Sequence, residues 1–260
     1  MVDIVSKHME ADLSFPRLSN RETVIDKEAL MRSIKCCEYQ AKSHRGYGGS
    51  REYLLPDTID EVKEGYLVFD VGCGDASQLF GYSWLVGEEG EICCIDPSKE
   101  LVEKARRNLD ANSFRNVQIY EMDGANLEPL VLKYGQPNLI LLFNVLAYVP
   151  EWYARKIVRA CSSASAKGTK IICSTVSKEA HLKDAEICNN REKYDLISRG
   201  KLIYTYEDNG ASYDAEGSVY SKEEFIELFT SNGFQIDNFI SLGALDGVAT
   251  EHYLKAIKVK

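Results

Sequence analysis

The stretch LVFDVGCGDASQLF, residues 67–80, decides how the rest of the chain is read. With Tyr66 before it, Tyr66–Val71 is a short apolar run bounded by glycines, the pattern of a buried strand. The run ends in Gly72-Cys73-Gly74, a bend with almost no side chain, where a ligand comes close to bare backbone. A helix is expected to follow over Gln78–Val86. A glycine turn after a strand also opens dinucleotide sites. That fingerprint wants a third glycine at position 77, and residue 77 is Ser.

Beyond this stretch, short apolar runs alternate with amphipathic ones. Glu91–Asp96 reads as a strand, and Ser98 caps a helix with Glu100 and Glu103 in its first turns and basic residues near its close. Val117–Glu121 is the next strand, Leu127–Tyr134 a helix, Asn138–Phe143 a strand, Glu151–Cys161 a helix and Thr169–Thr175 a strand. This alternation implies βαβ crossovers, a mainly parallel sheet and helices on both faces. The end differs: a capped helix from Ser221 stops at Asn232-Gly233, and two strand-like runs follow, Phe234–Leu242 and Thr250–Val259. With so little chain between them, those two runs must pair antiparallel.

Asp70 stands at the end of the first core strand, Asp96 at the end of the second and Asp123 just after the third. Carboxylates at three successive strand ends line one edge of a parallel sheet, the edge where open α/β folds bind ligands. On these residues the chain resembles the class I S-adenosylmethionine-dependent methyltransferases over roughly residues 66–260. The family's first motif, an acid followed by GxGxG, matches Asp70-Val71-Gly72-Cys73-Gly74-Asp75-Ala76, with Ala76 in place of the last glycine. The resemblance implies a seven-stranded sheet with an antiparallel last strand, S-adenosyl-L-methionine as cofactor, and in-line transfer of its methyl group to a small-molecule N, O, C or S atom. Cofactor contacts are then expected from Asp70, Gly72, Cys73 and Gly74 at the methionine end, Asp96 and Pro97 at the ribose, Asp123 and Gly124 at the adenine, and Asn144 beside the donor sulfur.

Two segments fall outside the alternation. Residues 1–60 carry one expected helix, Lys27–Ala41, then the glycine-rich HRGYGGS, and are read as an N-terminal lid; residues 61–260 form the methyltransferase domain. Residues 177–220, between the fifth strand and the next helix, are read as a substrate-cap insertion containing a β-hairpin that turns at Asp208-Asn209-Gly210. The candidates for a catalytic role are Tyr47, Tyr148 and His181. His8, His44 and His252 belong to no recognisable motif.

The net charge of −9 disfavours a partner that grips nucleic acid, since a phosphate backbone calls for a basic field. No run approaches 18 consecutive apolar residues, and the first residues lack the apolar stretch of a secretory signal; a cytoplasmic, non-membrane protein is expected. The eight cysteines include no CxxC pair, and no metal site is expected. The oligomeric state is left open. A protein or RNA methyltransferase and a non-catalytic cofactor-binding subunit remain as alternatives.

Overall fold

The computed structural model describes residues 28–36, 38, 58–79, 82–112, 115–243 and 248–260. In chain order the main elements are β1 (Leu67–Val71), β2 (Glu91–Asp96), α1 (Lys99–Asn112), β3 (Val117–Glu121), α2 (Glu128–Tyr134), β4 (Leu139–Phe143), α3 (Glu151–Ala164) and β5 (Lys170–Val176). They continue with α4 (Lys178–Ile187), α5 (Arg191–Ser198), β6 (Lys201–Asp208), β7 (Ala211–Ser218), α6 (Lys222–Thr230), β8 (Phe234–Leu242) and β9 (Glu251–Lys258). Seven strands form one sheet in the order β3-β2-β1-β4-β5-β9-β8. β1 to β5 are mutually parallel, and β9 runs antiparallel to both β5 and β8.

Period-2 alternation sends apolar side chains to both faces of this sheet. One face joins Phe69, Ile95, Ile140, Leu142 and Ile171 to α3 and α6 through Ile157, Val158, Phe225 and Phe229. The other joins Val68, Ile92, Cys94, Leu141 and Ile172 to Val102 and Ala105 of α1 and to Leu79 and Tyr82. This is the expected class I methyltransferase fold, with its antiparallel strand lodged inside the sheet next to β5.

Among the described residues of Gln78–Val86 the expected α-helix does not form. Residues 73–79 and 82–85 carry repeated i→i+3 hydrogen bonds instead: Ala76 N–H donates to the Cys73 carbonyl, Leu79 to Ala76, Tyr82 to Leu79 and Leu85 to Tyr82, at 3.0–3.2 Å. Ser83–Val86 forms a 3₁₀ helix. The cause lies in the sequence. Apolar residues recur here every third position, so a three-residue winding puts Ala76, Leu79 and Tyr82 on one side, all at 0–1% exposure. An α-helical winding would turn each successive member about 60° away from the last. Gly74 (φ +59°) and Ala76 (φ +57°) also take left-handed backbone, which cannot open a right-handed helix.

The insertion is more structured than its composition suggested. Two helices precede the hairpin: Ser177 caps α4 by accepting from the Ala180 N–H, and Asn190 caps α5 by accepting from Lys193. Left-handed Asn189 (φ +49°) separates them. The hairpin pairs β6 with β7 in full register and turns through Asn209 and Gly210, both at positive φ, as the primed turn requires. Of the N-terminal segment, residues 28–36 and 38 are helical. Tyr47 and the glycine-rich loop lie outside the described residues.

Candidate active site

The C-terminal tips of the parallel strands place the acids in steps. Asp70 pairs with Cys94 in the register of β1 and β2, so Asp96 lies two residues nearer the edge; Asp96 pairs with Glu121, so Asp123 lies two nearer again. At about 3.3 Å per residue each step is roughly 7 Å. The carboxylates descend like a staircase.

Asp70 is the deepest step. It is 3% exposed and its Oδ2 accepts the Tyr82 phenol at 2.9 Å. Burial pushes its carboxyl up to about 7, with the Tyr82 hydrogen bond pulling the other way and nearby Asp96 adding to the rise. Tyr82 was not singled out from the sequence; the three-residue apolar period was the signal that would have found it.

Asp96 is the middle step, and its carboxylate closes two loops. Oδ2 accepts from Gly74 N–H and Oδ1 from Ser98 N–H, both at 2.9 Å. Pro97 makes the bend between Asp96 and Ser98. Burial raises the Asp96 carboxyl to about 6; the two backbone N–H groups oppose the rise and the Glu38 carboxylate adds to it. Across the turn, a Cβ on Gly72 (φ +74°) would lie 2.3 Å from Val145 Cγ2, so only glycine lets the loop after β4 press on this bend. Among the described residues a Cβ on Gly74 would meet nothing within 4 Å, so its backbone is bare beside a buried carboxylate. From α1, Lys104 binds the Asp75 carboxylate at 2.8 Å and Asn108 the Asp75 carbonyl at 2.8 Å, pinning the turn. The Cys73 thiol, on the same turn, is pushed well above its usual range by Cys94 and by burial, which keeps it protonated.

Asp123 is the outermost step. Its Oδ1 accepts from Ala125 N–H at 2.8 Å, and Gly124 packs so closely on Val71 that a Cβ there would lie 2.7 Å from Val71 Cγ1. Asn144 follows β4 in left-handed backbone (φ +58°), with its N–H on the Ser174 carbonyl and hydroxyl and its Oδ1 accepting from Ser174.

The insertion is seated on the turn after β4. Tyr204 stacks on Tyr148 (centroids 5.0 Å apart, planes at 29°), and Ser218 Oγ donates to the Val149 carbonyl at 2.7 Å. A Cβ on Gly217 would lie 2.1 Å from the Ala147 carbonyl oxygen, so strand and turn touch backbone to backbone. His181, on α4, has its charged neighbours Lys193 and Asp184 inside the insertion, and burial followed by Lys193 lowers its pKa. A residue the sequence gave no hint of is Glu38, whose Oε1 accepts the Ser98 hydroxyl at 2.7 Å from 60 positions away.

The donor set suits one ligand class. Carboxylates accept hydroxyl, amino and ammonium donors; among the described residues no α-helix opens directly after the glycine turn to hold a pyrophosphate on its N-terminal N–H groups. An open parallel sheet with an inserted antiparallel strand, a glycine turn and acids at successive strand tips together define a class I methyltransferase. The comparisons agree: the model of the methyltransferase-domain family matches residues 62–233, and the chain belongs to that family. Its cofactor is S-adenosylmethionine, whose hydroxyl, amino and ammonium donors suit a carboxylate-lined edge.

Curated relatives match over short stretches. A protein-L-isoaspartate O-methyltransferase from Methanothrix thermoacetophila is 37% identical over 71 residues, 27% of this chain and 33% of that protein. A demethylmenaquinone methyltransferase from Desulfitobacterium hafniense is 32% identical over 68 residues, 26% of this chain and 27% of that protein. The matched part thus spans about a third of those relatives' length. Among solved structures, a SAM-dependent methyltransferase from Methanosarcina mazei superposes with a TM-score of 0.62 over 78% of this chain and 97% of that one, at 15% identity, a likeness of fold.

Proposed function

We propose that this protein transfers the methyl group of S-adenosylmethionine to a small-molecule acceptor. The observation that carries the reading is the pairing of a buried carboxylate, Asp96, with the bare backbone of Gly74, joined by a 2.9 Å hydrogen bond at the sheet edge. When bound, the cofactor supplies an electrophilic methyl group on a sulfonium. Asp96 accepts the ribose hydroxyls through the lone pairs that its two backbone bonds leave over, with Pro97 fixing its direction. Asp123 and Gly124 take the adenine, and the backbone of Gly72, Cys73 and Gly74 lies along the methionine portion. Asp70 acts from beneath, holding the turn through Tyr82. Asn144 and Tyr148 flank the reacting end.

Residues 177–220 serve in this reading as a cap on the domain of residues 61–260. The close seat of Gly217 and Tyr204 on the turn after β4 supports a covered pocket over an open groove, and so a small acceptor. Positioning and exclusion of water then do most of the work. A base is needed only where the acceptor arrives protonated, and Tyr148 and His181 are the described candidates. A cytoplasmic setting belongs to the same proposal, supported by thiols such as Cys93 and Cys94 that act as small apolar groups in buried strands.

A protein acceptor is the second reading, favoured by the isoaspartate methyltransferase among the relatives. Calorimetry with S-adenosylmethionine and S-adenosylhomocysteine, followed by methyl turnover on a metabolite panel, an isoaspartyl peptide and RNA, separates these. Turnover confined to metabolites is expected. Turnover of the peptide alone would replace the first reading with the second, and binding without any turnover would make the chain a non-catalytic relative.

A further inference from the structure

The nucleoside end of the site carries a second buried carboxylate that the three-acid staircase does not include. Glu38 sits on the N-terminal helix and is 7% exposed. Its Oε1 accepts the Ser98 hydroxyl at 2.7 Å, and its Oε2 pairs with Lys35 at 2.9 Å. Ser98 is a junction. Its hydroxyl also accepts from the Leu101 N–H at 3.1 Å, capping α1, while its own N–H donates to Asp96 Oδ1 at 2.9 Å. A continuous chain of hydrogen bonds therefore runs from the N-terminal helix to the carboxylate at the tip of β2.

The same helix is held from its other side by the hairpin. Cys36 packs with Tyr206 and Ala215, Lys35 faces Asp208 at the end of β6 and Glu100 on α1, and Leu30 rests on the main core. The helix is thus wedged between the insertion and the start of α1. We propose that Glu38 is a positioning residue of the cofactor site: by fastening the N-terminal helix to Ser98 it holds the Asp96 carboxylate in the orientation that accepts the ribose hydroxyls. This rests on the reading of Asp96 as a cofactor ligand.

The arrangement has an electrical signature that a merely structural contact lacks. Asp96 is faced by Glu38 from the N-terminal helix, by Asp70 from β1, and by the Gly74 and Ser98 N–H groups; Glu38 in turn is faced by Lys35, with Asp208 and Glu100 beyond. Burial and the Glu38 charge both favour the protonated form of Asp96, so cofactor affinity falls as pH drops through about 6. Removing the Glu38 charge while keeping an acceptor for Ser98 moves that acid limb to lower pH. Removing the acceptor as well loosens the latch.

The test is calorimetric titration of S-adenosylhomocysteine into the full chain between about pH 5 and pH 8, with wild type, Glu38→Gln, Glu38→Ala, Ser98→Ala and the Glu38→Ala/Ser98→Ala double variant. At the upper pH we expect Glu38→Ala to bind about tenfold more weakly, Glu38→Gln to regain most of that loss, and the double variant to be no worse than the weaker single one. Glu38→Gln should shift the acid limb down by a few tenths of a pH unit or more. An unmoved limb in Glu38→Gln together with unchanged affinity in Glu38→Ala overturns the proposal, while wild-type binding still upholds Asp96 as a ligand. Failure of the wild type to bind at all removes the reading and the proposal together.

Discussion

Two buried aspartates at the site answer to opposite demands. Asp96 is pulled toward ionisation by the Gly74 and Ser98 N–H groups and toward neutrality by its burial. Replacing it with Ala removes charge-assisted hydrogen bonds to the cofactor. Affinity should fall by about 1–3 kcal/mol with the fold retained, as read by calorimetry beside circular dichroism. Asp70, expected from the sequence to contact the cofactor, also bears on stability. Its carboxyl is raised to about 7 in the folded protein against an ordinary value near 4, so the folded state holds the proton more tightly than the unfolded chain. Its contribution is present in full below about pH 4 and declines as pH rises through about 7. Glu61, Asp75 and Glu224 are shifted the other way, so the total curve mixes signs. The difference between Asp70→Asn and wild type isolates the one group: the variant should gain relative stability between about pH 4 and pH 7, on the order of a few kcal/mol, in urea melts. A pH-independent difference would show that Asp70 is ionised in the fold.

Among the elements, the hairpin makes the sharpest test because its seat depends on one missing methyl group. Gly217→Ala would drive a Cβ into the Ala147 carbonyl, and β7 has to lift. The sheet of seven strands has no share in that contact. We expect thermal stability within about 1–3 kcal/mol of wild type, unchanged cofactor affinity, and a marked rise in KM for the acceptor with faster proteolysis in residues 201–218. An unaltered KM would detach the hairpin from the acceptor site. The hairpin and its turn were legible in the sequence because Asn-Gly has a strong local signature. So were the strands, whose runs of Val, Ile, Leu and Cys sit between turn residues. Residues 73–85 misled because a three-residue apolar period passes for 3.6 over so short a stretch. The helices α4 and α5 were hidden by brevity; their caps at Ser177 and Asn190 were the only readable marks.

Across the whole molecule the two edges of the sheet divide the labour. The ligand edge holds the acids; the opposite edge holds a buried ion cluster in which Glu61 binds Lys170, the first residue of β5, and Lys255 of β9 at 2.6 Å. Substituting Glu61 by Gln takes the carboxylate from half-buried Lys170 and leaves Lys255 to Asp237, at 3.2 Å. A loss of about 2–4 kcal/mol is expected with cofactor affinity unaltered, measured by chemical denaturation and calorimetry in parallel. Coupled losses would mean that the edges are not independent. The same division explains what the sequence concealed about the site. Each strand-tip acid is announced by its own strand, whereas the pairings of Glu38 with Ser98, Tyr82 with Asp70 and Val145 with Gly72 join positions that only the closed fold brings together.

The placement of β9 between β5 and β8 also bears on how the chain is made. During synthesis β8 emerges first, and among the described residues β9 is its one neighbour in the finished sheet. Until β9 arrives, β5 offers a bare hydrogen-bonding flank and β8 is an unattached ribbon, an interval in which nascent copies are open to pairing with one another. The last main-sheet strand to leave the ribosome is thus a keystone, and a frameshift within it would release its neighbour as well.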